Sequence, residues 1–169
     1  MATINIKPLT EEDWEAVEKI YLEGIATGNA TLDSGSPGWE SWDKSHLQEC
    51  RLVAIVENKI AGWIALSPVS SRCVYQGVAE VSIYIGEKFR GMGLGYKLFD
   101  AIFITAEDAG IWTLQASMFP ENLASQRLHE KAGFRKVGVR EKIAKHKGKW
   151  RDTLIMERRS KAPKFLEED

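Results

Sequence analysis

Apolar and polar positions along the chain repeat with two different periods, and the changes between them mark out strands and helices. Ile4 to Lys7 reads as a short first strand. Trp14, Val17, Ile20 and Tyr21 then recur at helical spacing. Thr10 caps that helix, and Glu11, Glu12 and Asp13 fill its first turn, where the helix dipole favours acids. Gly24 to Gly38 is a loop rich in Gly, Thr and Ser, and Ser36-Pro37 predicts the cap and first-turn proline of a short helix reaching Cys50. Arg51 to Glu57 and Ile60 to Ser67 read as strands flanking a hairpin turn at Asn58-Lys59. After a loop from Pro68 to Gly77, Val81, Ile83 and Ile85 alternate against Glu80, Ser82 and Tyr84, which predicts a strand over Val78 to Ile85.

Gly86 to Gly95 opens a helix with Leu94, Leu98, Ile102 and Thr105 down one face, ended by Gly110. Ile111 to Phe119 is a strand, and Asn122 to Ala132 is a helix stopped by a left-handed cap at Gly133. Phe134 to Arg140 and Trp150 to Glu157 close the series as strands separated by a basic segment. The polar tail after Arg159 is expected to be loose. Helices and strands that alternate around a central hairpin run predict an α+β fold with a mixed sheet. No repeat, linker or low-complexity stretch divides the chain, so residues 1–169 read as one domain.

Composition narrows the function classes. A chain of 169 residues can bury roughly 70% of its unfolded surface without help from a disulfide or metal. Its net charge of −1 disfavours nucleic acid as a partner. Cys50, Cys73, His46, His129 and His146 match no metal-ligand spacing. No apolar run approaches the roughly 18 residues of a membrane span, and Met1 to Lys7 has no apolar signal core. The expectation is a cytoplasmic protein with no metal and no membrane partner.

The sharpest chemical signal is Arg90-Gly91-Met92-Gly93-Leu94-Gly95, between a strand and a helix. Glycines let the backbone turn tightly and approach a ligand, and the first amides of a helix have no internal partner at its positive end. Such a loop either binds a phosphate or pyrophosphate or is a bare turn. It is not a Walker loop, because no Lys-Ser/Thr pair follows, and its glycine spacing fails the dinucleotide fingerprint.

The loop resembles the R/Q-x-x-G-x-G/A coenzyme A motif of the GNAT acetyltransferase superfamily, with Arg90, Gly93 and Gly95 at its fixed positions. Asn122-Leu123-Ala124-Ser125 and the Leu128 to Phe134 segment resemble that superfamily's next motif. The Glu80 to Ile85 strand, Thr31-Leu32-Asp33 with Trp42 following, and Lys147-Gly148-Lys149-Trp150-Arg151-Asp152 are similar to the phosphinothricin acetyltransferases within it. The resemblance then runs across nearly the whole chain. It implies a GNAT fold of six or seven strands and about four helices, acetyl-CoA as cosubstrate, and a homodimer.

The resemblance also implies roles. Glu80 becomes the general base that frees the amine's lone pair. Backbone groups near Val81, Ser82 and Ile83 bind the pantetheine arm like an added strand. Gly91, Met92, Gly93, Leu94, Gly95 and Tyr96 supply the pyrophosphate turn, with Arg90 nearby and Asn122 and Ser125 on the next helix. Ser125 is otherwise a plain helix residue. Where many relatives place a tyrosine acid, this sequence has His129, which is either the acid or a packed helix residue. Tyr84, on Glu80's face, is an alternative acid. Thr31, Leu32, Arg72, Tyr75, Lys147 and Trp150, with Glu80, are the expected substrate contacts. The implied acceptor is a small amino acid or analogue, such as phosphinothricin, methionine sulfoximine or methionine sulfone. The competing readings are a protein N-terminal or other amine acetyltransferase and a non-catalytic coenzyme A-binding module.

Overall fold

The predicted strands pair into one mixed seven-stranded sheet in a computed structural model that describes residues 3–167. In chain order the elements are β1 (Ile4–Pro8), α1 (Trp14–Ala26), α2 (Trp39–Ser45), β2 (Arg51–Val56) and β3 (Lys59–Pro68). They continue with β4 (Val78–Ile85), α3 (Leu94–Asp108), β5 (Thr113–Met118), α4 (Leu123–Lys131), β6 (Arg135–His146) and β7 (Lys149–Arg159). The sheet order is β1-β2-β3-β4-β5-β7-β6, antiparallel throughout except where β4 and β5 run parallel. This is the expected α+β architecture.

Strand alternation sorts the core into two layers. On β3, Ile64 and Leu66 join Val81 against Leu94, Leu98 and Ile102 of α3. Trp63 and Ala65 point the other way and pack with Val17, Ile20 and Trp42 of α1 and α2. No helix among the described residues is long and apolar enough to cross a membrane.

Four local expectations change. First, α1 runs through Gly24 to Ala26 instead of ending there, because the Tyr84 ring fills the space of a side chain: a Cβ on Gly24 would lie 2.8 Å from it. Second, α2 begins after Gly38, whose φ of +78° breaks the chain direction, and ends at Ser45 rather than Cys50. Ser36 caps nothing there; its hydroxyl donates to Glu18 at 2.5 Å. Third, the basic segment between the last two strands is not a loop. β6 and β7 extend through it as a long hairpin turned at Lys147 and Gly148, both with positive φ.

The fourth change is the tail. Ser160 is buried and donates to Glu107 at 2.6 Å, Lys164 Nζ donates to the Glu107 carbonyl at 2.5 Å, and Phe165 meets the Trp112 ring edge-on. The segment expected to be loose is therefore docked as far as Phe165; residues 168 and 169 of that expectation lie outside the described residues.

Candidate active site

The ladder between β4 and β5 is short. Val78, Ala79 and Glu80 pair with Thr113, Leu114 and Gln115, and pairing then stops. Beyond Glu80, β4 stays with β3 as far as Ile85, while β5 stays with β7 as far as Met118. The two central strands splay apart, which leaves the β4 edge from Val81 onward without a strand partner. A cavity of about 1010 Å³ occupies this gap and reaches both faces of the sheet. Val81, Ser82 and Ile83 line it.

The glycine turn closes one end. Gly91 and Gly93 adopt φ of +77° and +78°, in the left-handed region that favours glycine, and a Cβ on either would meet nothing within 4 Å. Gly93 is the N-cap of α3, so the following amides have no partner inside the helix. Arg90, Gly91, Gly93, Leu94, Gly95 and Tyr96 line the cavity, while Met92 is 41% exposed and stands off its wall. Gly95 does a different job from the other two. A Cβ there would lie 2.9 Å from Leu128, so its absence lets α3 and α4 approach.

Asn122 and Ser125 also line the cavity. Asn122 caps α4 by accepting from the Ser125 amide at 3.2 Å, and its Nδ2 donates to the Asn29 carbonyl at 3.2 Å. This side chain ties α4 to the loop between α1 and α2 across the cavity. Arg151 adds a second tie: its guanidinium lies 3.6 Å from the centre of the Phe119 ring and donates to the Gly28 carbonyl at 3.4 Å.

Glu80 sits where the strands separate. It is half-buried, lines the cavity, and accepts a 2.8 Å hydrogen bond from Gln115 Nε2. Gln115 was not singled out from sequence; only the parallel register, which brings it level with Glu80, identifies it. Ser82 and Tyr84 share Glu80's face. The Tyr84 ring stacks on Trp63 and meets Tyr21 edge-on, both at 5.0 Å, and burial pushes its phenol up to about 12.

His129 is 3% exposed, and its ring lies edge-on to Phe99 and Phe134. Its Nδ1–H donates to the Ser125 carbonyl at 2.7 Å, leaving Nε2 without a proton. Burial lowers its pKa, with the Ser125 carbonyl opposing in part. A neutral imidazole that has committed its proton to a carbonyl has none to give, although His129 lines the cavity.

The expected substrate contacts divide. Thr31 and Leu32 line the cavity. Arg72 and Tyr75 do not: they pair with each other at 5.4 Å in the exposed turn before β4, at the end where the β4–β5 ladder is closed. Lys147 and Trp150 belong to the tip of the β6–β7 hairpin and are also off the wall. Lys147 Nζ stands at the rim beside Gly28, and the exposed Trp150 ring lies under Lys145 at 5.0 Å. Beside Tyr84, expected only as an alternative acid, Tyr21, Asp33 and Trp63 form a wall on the α1 face that sequence reasoning missed, where the Tyr21 hydroxyl donates to Asp33.

The Acetyltransferase (GNAT) family model matches residues 13–134. The Bacillus subtilis protein YwnH, provisionally named a phosphinothricin acetyltransferase, is 38% identical over 151 residues, covering 86% of this chain and 93% of its own. The phosphinothricin N-acetyltransferase of Streptomyces coelicolor is 27% identical over 167 residues, covering 93% and 96%. The L-methionine sulfoximine/L-methionine sulfone acetyltransferase of Pseudomonas paraeruginosa is 31% identical over 83 residues, covering 49% and 48%. Among solved structures, the Sinorhizobium meliloti GNAT superfamily phosphinothricin acetyltransferase in complex with AcCoA superposes with a TM-score of 0.80 at 25% identity, covering 93% of this chain and 88% of that one. The splayed strands, the glycine turn and these relatives agree: the chain belongs to the acetyltransferase (GNAT) family.

Proposed function

We propose that this N-acetyltransferase moves the acetyl group of acetyl-CoA onto the amine of a small amino acid or analogue, with Glu80 as the proton acceptor. The observation that carries the reading is the β4–β5 gap, which has the glycine turn at one end and a carboxylate at the point of separation. The free edge of β4 offers Val81 to Ile83 backbone groups to a chain with amide links of its own, as pantetheine has. The left-handed Gly91 and Gly93 leave open space before the first amides of α3, where a pyrophosphate is favoured. Arg90 lines the same mouth, while Asn122 and Ser125 border it from α4.

The chemistry follows from these positions. The acceptor arrives as an ammonium, which has no lone pair. Its proton passes to the Glu80 carboxylate, directly or through one water. The amine then attacks the thioester carbonyl, a C–N bond forms, the C–S bond breaks, and the leaving thiolate takes up the second proton that the nitrogen sheds as it becomes an amide. A thiol pKa near 8.5 makes that thiolate a competent leaving group, so the step does not require His129. Gln115 holds Glu80 toward the gap and acts as a positioning residue.

The acceptor class rests on the relatives, whose names specify phosphinothricin, methionine sulfoximine and methionine sulfone. One feature favours a second reading, a polyamine or a peptide N-terminus. Among the described residues Arg90 is the one lysine or arginine lining the cavity, so no such cation inside it meets an amino acid's carboxylate. Lys147 and Arg151, both against Gly28, are the candidates just outside its wall. A homodimer belongs to the same proposal; Val137, Val139, Ile143 and Trp150 expose apolar surface on the β6–β7 hairpin that suits one.

Thiol release from acetyl-CoA, measured with phosphinothricin, methionine sulfoximine, methionine sulfone, spermidine and a peptide N-terminus, tests the reading. Turnover of one or more of the amino acids is expected. Turnover confined to spermidine or the peptide rejects the amino-acid class, and coenzyme binding with no thiol release for any amine supports a binding module instead.

A further inference from the structure

The α1 face of the cavity holds a second carboxylate that no step above uses. Asp33 lies on the loop between α1 and α2, lines the cavity beside Thr31 and Leu32, and forms no ion pair with any described residue. One of its oxygens accepts from the hydroxyl of Tyr21, a buried residue on α1. Its own amide donates to Thr31 Oγ1 at 3.1 Å, which fixes the loop at the same point. The second carboxylate oxygen has no protein partner among the described residues.

The wall beside it is aromatic. Tyr21 meets Tyr84 edge-on at 5.0 Å, and Trp63 stacks on Tyr84 at 5.0 Å. Trp63 is 1% exposed and its Nε1 is buried with no hydrogen-bond partner, although the ring lines the cavity. Native proteins rarely leave such a donor unmatched. This side of the cavity therefore combines an oriented carboxylate and aromatic rings with no lysine or arginine, while the Trp63 Nε1–H, a donor, is left for an acceptor atom of the ligand. Both carboxylates and ring faces attract cations, and an ammonium on a short carbon chain satisfies them together.

We infer that Asp33 is the acceptor-binding carboxylate, which holds the incoming amine in its ammonium form against the Tyr21–Trp63–Tyr84 wall. The inference rests on the acetyl-transfer reading and adds to it the group that recognises the acceptor's charge. The ammonium proton goes to Glu80, so Asp33 is a binding residue and not a second base.

Asp33→Asn tests this, because it keeps the shape and still accepts from the Tyr21 hydroxyl but carries no charge. With the best amine of the panel, KM for the amine should rise about tenfold to a hundredfold, the scale of one lost hydrogen bond to a charged group. The kcat and the KM for acetyl-CoA should change by no more than about threefold, and the fall of amine kcat/KM with added salt should flatten. Asp33→Glu should restore part of the affinity. A purely structural role would lower thermal stability and leave the salt dependence as it was. In the wild-type enzyme, a quaternary alkylammonium, which cannot be acetylated, should compete with the amine and not with acetyl-CoA. Wild-type amine KM and salt dependence in Asp33→Asn, or no competition by the quaternary ion, would overturn the inference while leaving acetyl transfer intact. Absence of transfer to every amine by the wild-type enzyme would instead overturn the reading beneath it.

Discussion

The glycine turn allows folding and binding to be separated by a single charge. Gly93 holds φ at +78°, and a Cβ there would meet nothing within 4 Å. A side chain at this position costs only the left-handed backbone, about 1–2 kcal/mol for alanine and less for Asn or Asp, which visit that region more readily. Gly93→Asn and Gly93→Asp share size and backbone tolerance, so both should unfold within roughly 2–8 °C of the wild type. They differ at the mouth of the cavity. A carboxylate about 4 Å from a phosphate charge, at an effective dielectric near 20, repels it by about 4 kcal/mol, and salt at the open mouth reduces this. A residual of about 3 kcal/mol makes Gly93→Asp bind coenzyme A about a hundredfold more weakly than Gly93→Asn. Titration calorimetry with coenzyme A measures the difference, and thermal unfolding checks that both variants are folded. Equal affinity in two folded variants would refute the placement of the pyrophosphate at this turn.

Three further substitutions have expected outcomes. Glu80→Gln keeps an oxygen for Gln115 but loses the proton acceptor, so kcat should fall about 10²–10⁴-fold with coenzyme affinity nearly unchanged; full activity at pH 7 would remove Glu80 from the mechanism. His129→Phe should preserve the alkaline limb of the rate profile, and an altered limb would reinstate His129 as the acid. Burial holds the folded His129 pKa below its ordinary 6.5, so the unfolded chain binds more protons as pH drops past that value and stability is lost on acidification. His129→Phe should therefore flatten part of the fall in Tm below about pH 6.5, leaving the share due to His46, which burial shifts the same way; an unchanged slope would contradict this. Gly77→Ala should lower Tm by about 2–10 °C, because Gly77 is buried and a Cβ there would run into the Trp112 ring; a Tm equal to the wild type would mean that Trp112 does not pack there.

How much of this was legible in the sequence depends on whether a signal is local. The alternation of Val81, Ile83 and Ile85 against Glu80, Ser82 and Tyr84 defines β4 and the face on which Glu80 stands, because strand periodicity is carried by the residues themselves. The glycine spacing before Leu94 marks the turn for the same reason, since positive φ is a local demand. Register is not local. Nothing near Gln115 says that it lies level with Glu80, or that the ladder ends there, so neither the splay nor the positioning residue was readable.

The departures have particular causes. Glycine at position 24 suggests a helix end, but the need to admit Tyr84 keeps it helical. The run from Arg140 to Lys149 is mostly charged and, apart from Ala144 and His146, exposed along an edge strand, which erases the alternation that would have revealed the β6–β7 hairpin. The tail is polar in sequence but is held largely by hydrogen bonds to Glu107, a partner more than fifty residues away. Arg72, Tyr75, Lys147 and Trp150 have the right chemistry for an amino-acid substrate, yet their turns fall outside the cavity wall, which is a matter of where the strands separate. Tyr21, Asp33 and Trp63 look like ordinary helix, loop and strand residues until the loop between α1 and α2 folds back over the sheet.

Direct transfer is the claim on which the chemistry depends, and a single-turnover experiment tests it. Enzyme saturated with acetyl-labelled acetyl-CoA is mixed with the best amino-acid acceptor, and the label is followed by mass spectrometry in the amine and in the intact protein. Direct attack in a ternary complex predicts label on the amine at the same rate as thiol release, with none on the protein. Label accumulating on a side chain before it reaches the amine, or remaining in acetyl-CoA with every acceptor, would contradict it.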